Sequence, residues 1–399
     1  MVRRAVIADM EQVSRRRFLQ GIGIAGVAGI AGCVGSDGGP DGGSDGGSDG
    51  GSGGGSDGGS DGGSGQTPSA GSADTATAST DVDLPLGEET LTVQYATERL
   101  IDETRSGGPP KDGIPSIDDP SFTGVEGGDQ QLDPGDIVFG YAGSEDVKAY
   151  PQRILVQHEI TNDELDGRPV TVSYCPLTGT AMGFERGETT FGVSGNLLNN
   201  NLVMYDRATD SRWPQMLGTA IKGPFAGRSL QEFRLVWTTW GQWKSQHPET
   251  KVLSEDTGFA RTYGRDPYGR YNPKGGYYGA GRTLFPPLQE NDRFHEKDHV
   301  IGVRTPAGAA AFYKNSLRDA GVLEGGLDGN SLVAVYDERL DTGYVYRNPD
   351  ELSVAVDGET ATAGGEMTAP DELPLERVYA FDAMWFAWTG FYPDSEVFE

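Results

Sequence analysis

The chain is short of cysteine, of histidine and of basic residues: it has two cysteines, four histidines and 32 lysines and arginines against 60 acidic residues in 399 positions. No Cys-x-x-Cys, His-Glu-x-x-His, cupredoxin-like Cys-x4-His-x3-Met or glycine-rich phosphate loop occurs, so the common local signatures of metal and nucleotide sites are missing. The formal net charge is -28, with acidic residues spread along the chain, and such a surface repels nucleic acid and anionic lipid. Dispersed acidity together with arginine in excess of lysine points to a halophile, whose surface charge is screened by concentrated salt. Long apolar runs are also missing. The clearest, residues 21–32, has twelve residues, too few to cross a bilayer. Long 3.6-period patterns are scarce, while strand-length runs, glycine and proline are abundant. This predicts a β-rich α+β fold with a few short helices.

The beginning of the chain has a different character. Ser14-Arg15-Arg16-Arg17-Phe18-Leu19-Gln20 resembles a twin-arginine export signal, and the apolar segment behind it ends in Ile30-Ala31-Gly32-Cys33, which resembles a lipobox. Residues 1–33 therefore read as a signal peptide. A lipid on Cys33 would anchor the mature protein to the membrane on its extracellular side. Residues 34–83 are dominated by Gly, Ser and Asp, then by Ala and Thr. They cannot bury enough apolar surface to offset chain entropy and read as a flexible spacer. Residues 84–399 remain as one folded domain.

Within it, residues 89–95 read as a strand and residues 111–122 as a proline-pinned loop. Residues 152–161 read as a strand that the dipeptide Asp166-Gly167 folds back onto the alternating run 170–174. Cys175 closes that run. Pro176 and Gly179 make the following residues a loop leaving a sheet, where a thiol can face a site; the plainer reading is a packed small hydrophobe.

The segment 136–184 recurs in degraded form 162 residues on: Asp136-Ile-Val-Phe-Gly140 aligns with Asp298-His-Val-Ile-Gly302, and Asp166-Gly167 with Asp328-Gly329. Further on the spacing is 145, with Trp240, Trp243, Pro248 and Val252 aligning with Trp385, Trp388, Pro393 and Val397. Two collinear blocks predict an internal duplication: half-units at about 133–254 and 295–399, joined by loops at 255–294, in one compact domain. Features present in both halves read as scaffold, including a Trp-x-x-Trp helix packing two aromatics onto a sheet. Features of the first half alone are the candidates for function. They are His158 and Glu159 (opposite Ala320 and Gly321), Cys175 (opposite Asp337), and the region holding Asn199, Asn200, Tyr205, Asp206, Arg207, Trp213 and Gln215, a set able to line a polar pocket with an aromatic wall. Single asparagines there also suit turns. The Gly/Tyr/Arg-rich stretch 262–278 reads as an irregular connection or a lid.

His158-Glu-Ile-Thr-Asn-Asp163, Tyr174-Cys-Pro-Leu-Thr-Gly179, Phe191-Gly-Val-Ser-Gly195, Met204-Tyr-Asp-Arg207 and Trp240-Gly-Gln-Trp-Lys-Ser-Gln-His-Pro248 resemble the domain-of-unknown-function 3179 family, from about residue 84 to the end. That family's usual pattern has Cys-Pro-Leu-Cys where this chain has Thr178, which argues against a two-cysteine redox or zinc role here. Two functions follow. One is a thiol/imidazole redox, metal or catalytic site on Cys175 and His158, with Glu159 beside them and His247, His295 or His299 as further metal ligands. The other is a non-catalytic module binding a small molecule or a surface. The cofactor, and whether a metal is bound, stay open.

Overall fold

Apolar runs broken by Asp-Gly turns set the architecture of the computed structural model, which describes residues 82–399. Asp166 and Gly167 take φ of 49° and 71°, and Asp328 and Gly329 take 53° and 71°. This left-handed pair of residues lets a two-residue hairpin turn match the twist of its strands. Each turn therefore sits where the sequence predicts it.

Two short helices, α1 (Thr97–Asp102) and α2 (Val125–Gln131), come first. The main run then reads β1 (Ile137–Ala142), β2 (Val147–Pro151), α3 (Gln152–His158), β3 (Ile160–Leu165), β4 (Arg168–Cys175), β5 (Thr180–Glu185), β6 (Phe191–Leu198), β7 (Asn201–Asp206), β8 (Val236–Thr239), α4 (Trp240–Gln246) and β9 (Lys251–Leu253). After the 255–294 loops come β10 (His299–Arg304), β11 (Ala309–Tyr313), α5 (Lys314–Ala320), β12 (Val322–Leu327), β13 (Asn330–Asp337), β14 (Thr342–Arg347), β15 (Ala380–Met384), α6 (Trp385–Phe391) and β16 (Glu396–Phe398).

The two runs share a topology. β8-β1-β2-β9, extended past β9 by a fifth strand Phe122–Thr123, and the four-stranded β15-β10-β11-β16 run in the same order, antiparallel except for β2 with β9 and β11 with β16, which are parallel. β3-β4-β5 and β12-β13-β14 are antiparallel sheets, each edged by a two-residue strand, Glu232–Phe233 and Arg377–Val378 respectively. Packing repeats with the order. A Cβ on Gly140 would run into the Trp243 ring, and one on Gly302 into the Trp388 ring, so both glycines let an indole lie flat on its sheet. Trp240 and Trp385 each donate their backbone N–H across 2.7 Å, to the carbonyls of Asp136 and Asp298. All four tryptophans are fully buried, which makes the Trp-x-x-Trp helices the aromatic anchors of their sheets.

Two sequence expectations fail. Residues 152–158 are the helix α3, and the strand opens only at Ile160. Ile154 and Val156 favour a strand locally, but burying Ile154, Leu155 and His158 on one helical face wins, because tertiary burial overrides a weak local preference. Residues 89–95 form no strand. Leu91 N–H bonds the Ser229 hydroxyl at 2.9 Å and Thr92 N–H the Thr305 carbonyl at 3.0 Å, so the segment is tied to separate elements and builds no ladder. The 111–122 loop is irregular as expected, bridged to β3 by Ile117 and Thr161. The twin-arginine segment, Cys33 and nearly all of the 34–83 spacer lie outside the described residues.

Candidate functional site

Cys175 ends β4 opposite Thr180, and residues 176–179 make the turn into β5. Gly179 has φ of 57°, and a Cβ there would meet Met384 and the His299 ring, so this turn is pressed against the second half. Met384 N–H closes the contact on the Thr178 carbonyl at 2.9 Å. The thiol is 1% exposed. It faces the β6–β7 turn, donating to the Asn200 carbonyl at 3.6 Å and accepting from Leu202 N–H at 3.3 Å. Burial, and then the charge of Glu159, push it up to about 11, so it is a thiol and not a thiolate at neutral pH.

His158 closes α3 and is fully buried. Its Nδ1 lies 2.8 Å from the Pro115 carbonyl, which makes Nδ1 the protonated nitrogen, and its Nε2 accepts from the Tyr263 hydroxyl at 2.7 Å. Burial lowers its pKa to about 4. A neutral imidazole with both nitrogens engaged has no capacity left for a metal or a substrate proton. Among the described residues His158 and Cys175 make no hydrogen bond to each other; the imidazole is held by Pro115 and Tyr263, the thiol by Asn200 and Leu202.

Glu159 is the unusual residue. It holds φ of 60° and ψ of -26°, where its counterpart Gly321 has 77° and -34°. Both carbonyls accept the same bond at 2.8 Å, from Tyr174 N–H and Tyr336 N–H. The backbone task is identical, yet this half performs it with a side chain that disfavours the left-handed region by about 1–2 kcal/mol. The Glu159 side chain is 8% exposed and no hydrogen bond reaches its carboxylate among the described residues. Burial pushes it up to about 8, and its charge acts on Cys175 and Tyr268.

Lys297 completes the cluster. It is fully buried, and its Nζ has no hydrogen-bond partner among the described residues. The nitrogen sits 3.5 Å from the centre of the Tyr277 ring and 4.4 Å from that of Phe386. Burial lowers it to about 6, against the opposing charges of Glu296 and Cys175. The Tyr277 hydroxyl donates to the Leu177 carbonyl at 2.8 Å, two residues past the thiol. Glu159, Tyr268, Tyr277 and Lys297, from distant stretches of chain, are thus linked electrostatically to Cys175. Behind them Gln152 and the Tyr278 hydroxyl both donate to Asp266, at 2.7 and 2.8 Å, and the Tyr271 and Tyr278 rings stack at 3.9 Å. His299 lies 5.2 Å from the Trp237 ring with its Nε2 buried and unpartnered.

The residues expected to line a pocket are placed otherwise. Asn199 and Asn200 take φ of 52° and 63° in the tight β6–β7 turn. Their side chains staple the connecting loop, Asn199 accepting from Leu288 N–H and Asn200 from Phe285 N–H, at 2.9 and 2.8 Å. Asp206 accepts from Trp213 Nε1 at 3.0 Å and from the Thr209 hydroxyl at 2.8 Å, so the two predicted site residues satisfy each other. Tyr205 and Arg207 face Asp112 in a separate, more exposed charge cluster. Gln215 accepts from Thr180 at 2.6 Å and Asn201 at 2.9 Å in a closed buried network. Among the described residues no group of three or more His, Cys, Asp and Glu side chains is placed to hold a metal ion. His247 instead stacks on Trp243 at 4.1 Å, and His295 is exposed.

A family model described as "Protein of unknown function (DUF3179)" matches residues 111–395. The chain belongs to this family. Searches of curated proteins and of solved structures found no match. The match to the DUF3179 family covers both halves and the loops between them, and so every residue of the cluster around Cys175. Sequence reasoning found Cys175 and Glu159 in this DUF3179 chain but missed Lys297, which sits in the hydrophilic string His295-Glu-Lys-Asp-His299 and looks like surface.

Proposed function

We propose that the protein binds a small polar molecule in the buried cluster of Glu159, Cys175 and Lys297. It does so outside the cell, held to the membrane by a lipid on Cys33. One observation carries the binding site: among the described residues neither the fully buried Lys297 amine nor the carboxyl of largely buried Glu159 has a hydrogen-bond partner, and both interact electrostatically with Cys175. Buried ionisable groups are normally paired, because each unpaired one destabilises the fold. A bound molecule supplies the missing partners, and the left-handed strain at Glu159 is in keeping with a residue held for a ligand. The thiol/imidazole reading has less support, since His158 has no free nitrogen. We also read the shared topology of the two halves as descent from one duplicated unit.

The test is a thermal-shift screen of small carboxylates, carbonyl compounds and polyols against the protein in molar KCl, repeated with Glu159→Gln and Lys297→Met. Ligands should raise the melting temperature of the wild type and lose most of that effect in both variants; equal shifts in all three proteins would place binding elsewhere. For the anchor, Cys33→Ser should move the protein from the membrane to the soluble fraction.

A further inference from the structure

We propose that Lys297 is a nucleophilic lysine that captures a small carbonyl compound as an imine. This rests on the binding site argued above and names the chemical class of its ligand.

The first support is a missing partner. Of the chain's eight lysines, the other two that are buried each hold a carboxylate: Lys148 meets Asp163 at 3.0 Å and Lys314 meets Asp382 at 2.8 Å. Lys111, Lys244 and Lys274 lie within 4.0 Å of an aspartate at the surface. Lys297 is more deeply buried than any of these and has none, although acidic residues outnumber basic ones by 60 to 32. In so acidic a chain, an amine without a carboxylate is not explained by a shortage of acids. The second support is the wall. Tyr277 and Phe386 cover the nitrogen with ring faces; the faces attract an ammonium, but the water they exclude disfavours the charge, and burial wins, which is one way an amine is kept nucleophilic. The third is the company: the Glu159 carboxyl and the Cys175 thiol are both protonated at neutral pH, so the cluster holds proton donors.

The chemistry balances without an outside oxidant. The Nζ lone pair attacks the carbonyl carbon, an N–C bond forms, and the carbonyl oxygen takes up a proton as the amine loses one. The resulting hydroxyl leaves as water with a second proton while the C=N bond forms. Amine and carbonyl become imine and water. The Tyr277 and Phe386 rings cover the amine, so the compounds that fit are small.

The experiment treats the full-length protein in molar KCl at pH 7 with glyoxylate, and separately with propanal, in the presence of sodium cyanoborohydride. The eight lysines are then mapped by peptide mass spectrometry. Reductive alkylation should appear at Lys297 at least about tenfold faster than at exposed Lys222 and Lys251. The rate at Lys297 should be nearly flat from pH 7 to 9. Alkylation of Lys222 and Lys251 with Lys297 untouched overturns the proposal. If Lys297 stays untouched but a stabilising ligand still depends on it, the imine step fails alone; if no ligand depends on Lys297 or Glu159, the binding site fails too.

Discussion

Replacing Glu159 with glycine, the residue at the equivalent position of the second half, should stabilise the empty protein, and by more as pH rises. Three terms set the size. Relief of the left-handed backbone contributes about 1–2 kcal/mol. Glycine's extra freedom in the unfolded chain and the loss of a buried side-chain stem offset that by a similar amount, about 1–2 kcal/mol. The third term is protonation. The carboxyl moves from its usual 4.5 to about 8 in the fold. Between these values the folded state holds a proton that the unfolded state has released, so ν_U is below ν_N and stability falls with rising pH by about 1.4 kcal/mol per unit. The penalty is absent below about 4.5, reaches about 3 kcal/mol at pH 7 and levels off above 8. Cys175 and Tyr268, which face the carboxyl, stay protonated throughout; Lys297, held near 6, titrates in both proteins and cancels in the comparison. Glu159→Gly should therefore match the wild type near pH 4.5 and exceed it by about 3 kcal/mol at pH 7, or about 4–5 °C in melting temperature for a domain of this size. Glu159→Gln separates the terms, because it keeps the strain but removes the titration. Paired urea and thermal melts in molar salt at pH 4.5, 6, 7 and 8 give the result. A glycine variant less stable than the wild type at pH 7, or a difference that does not change with pH, would refute the reasoning.

Cys175 should resist an aromatic disulfide reagent for hours in the folded protein and react at once in denaturant, since its sulfur is buried and protonated; rapid labelling of native protein would contradict the packing. Gly140→Ala and Gly302→Ala should each cost about 1–3 kcal/mol, because each new methyl meets an indole ring, and melts showing only one of the two to matter would mean that the halves do not share that contact. Melting temperature should climb as KCl rises from dilute buffer to about 1 M, where the Debye length falls to roughly 3 Å and the repulsion within a chain of formal charge -28 is screened. A flat profile would show that charge does not limit stability.

The fold was legible where local chemistry and burial agree. Asp166-Gly167 and Asp328-Gly329 have one good backbone solution, and the tryptophan pairs have one good face to cover, so turns and anchors could be read from the chain. Residues 152–158 could not. Their β-branched side chains argue for a strand, and only the sheet they lie on, which exists after β1, β2 and β4 have assembled, makes the helical face the better burial. The same holds for residues 89–95, whose apolar alternation looks like a ladder but whose bonds go singly to Ser229 and Thr305.

The site was half legible, and the missing half follows from how it is built. Comparing the two halves singles out what the first half alone carries, and so it finds Glu159 against Gly321 and Cys175 against Asp337. It is blind to any residue that the second half alone carries, and Lys297 is one: counting back 162 residues from it reaches Gly135. It is equally blind to Tyr268 and Tyr277, which lie in the connecting loops and have no counterpart. Between halves of common design, a site with one function need occur only once. The side chains that complete it can then come from the opposite half and from the connection, where no pressure keeps a repeat. Asymmetry on both sides of the seam is thus the feature to look for. In this chain its two ends, a strained acid from one half and an amine without a carboxylate partner from the other among the described residues, are both coupled by charge to Cys175.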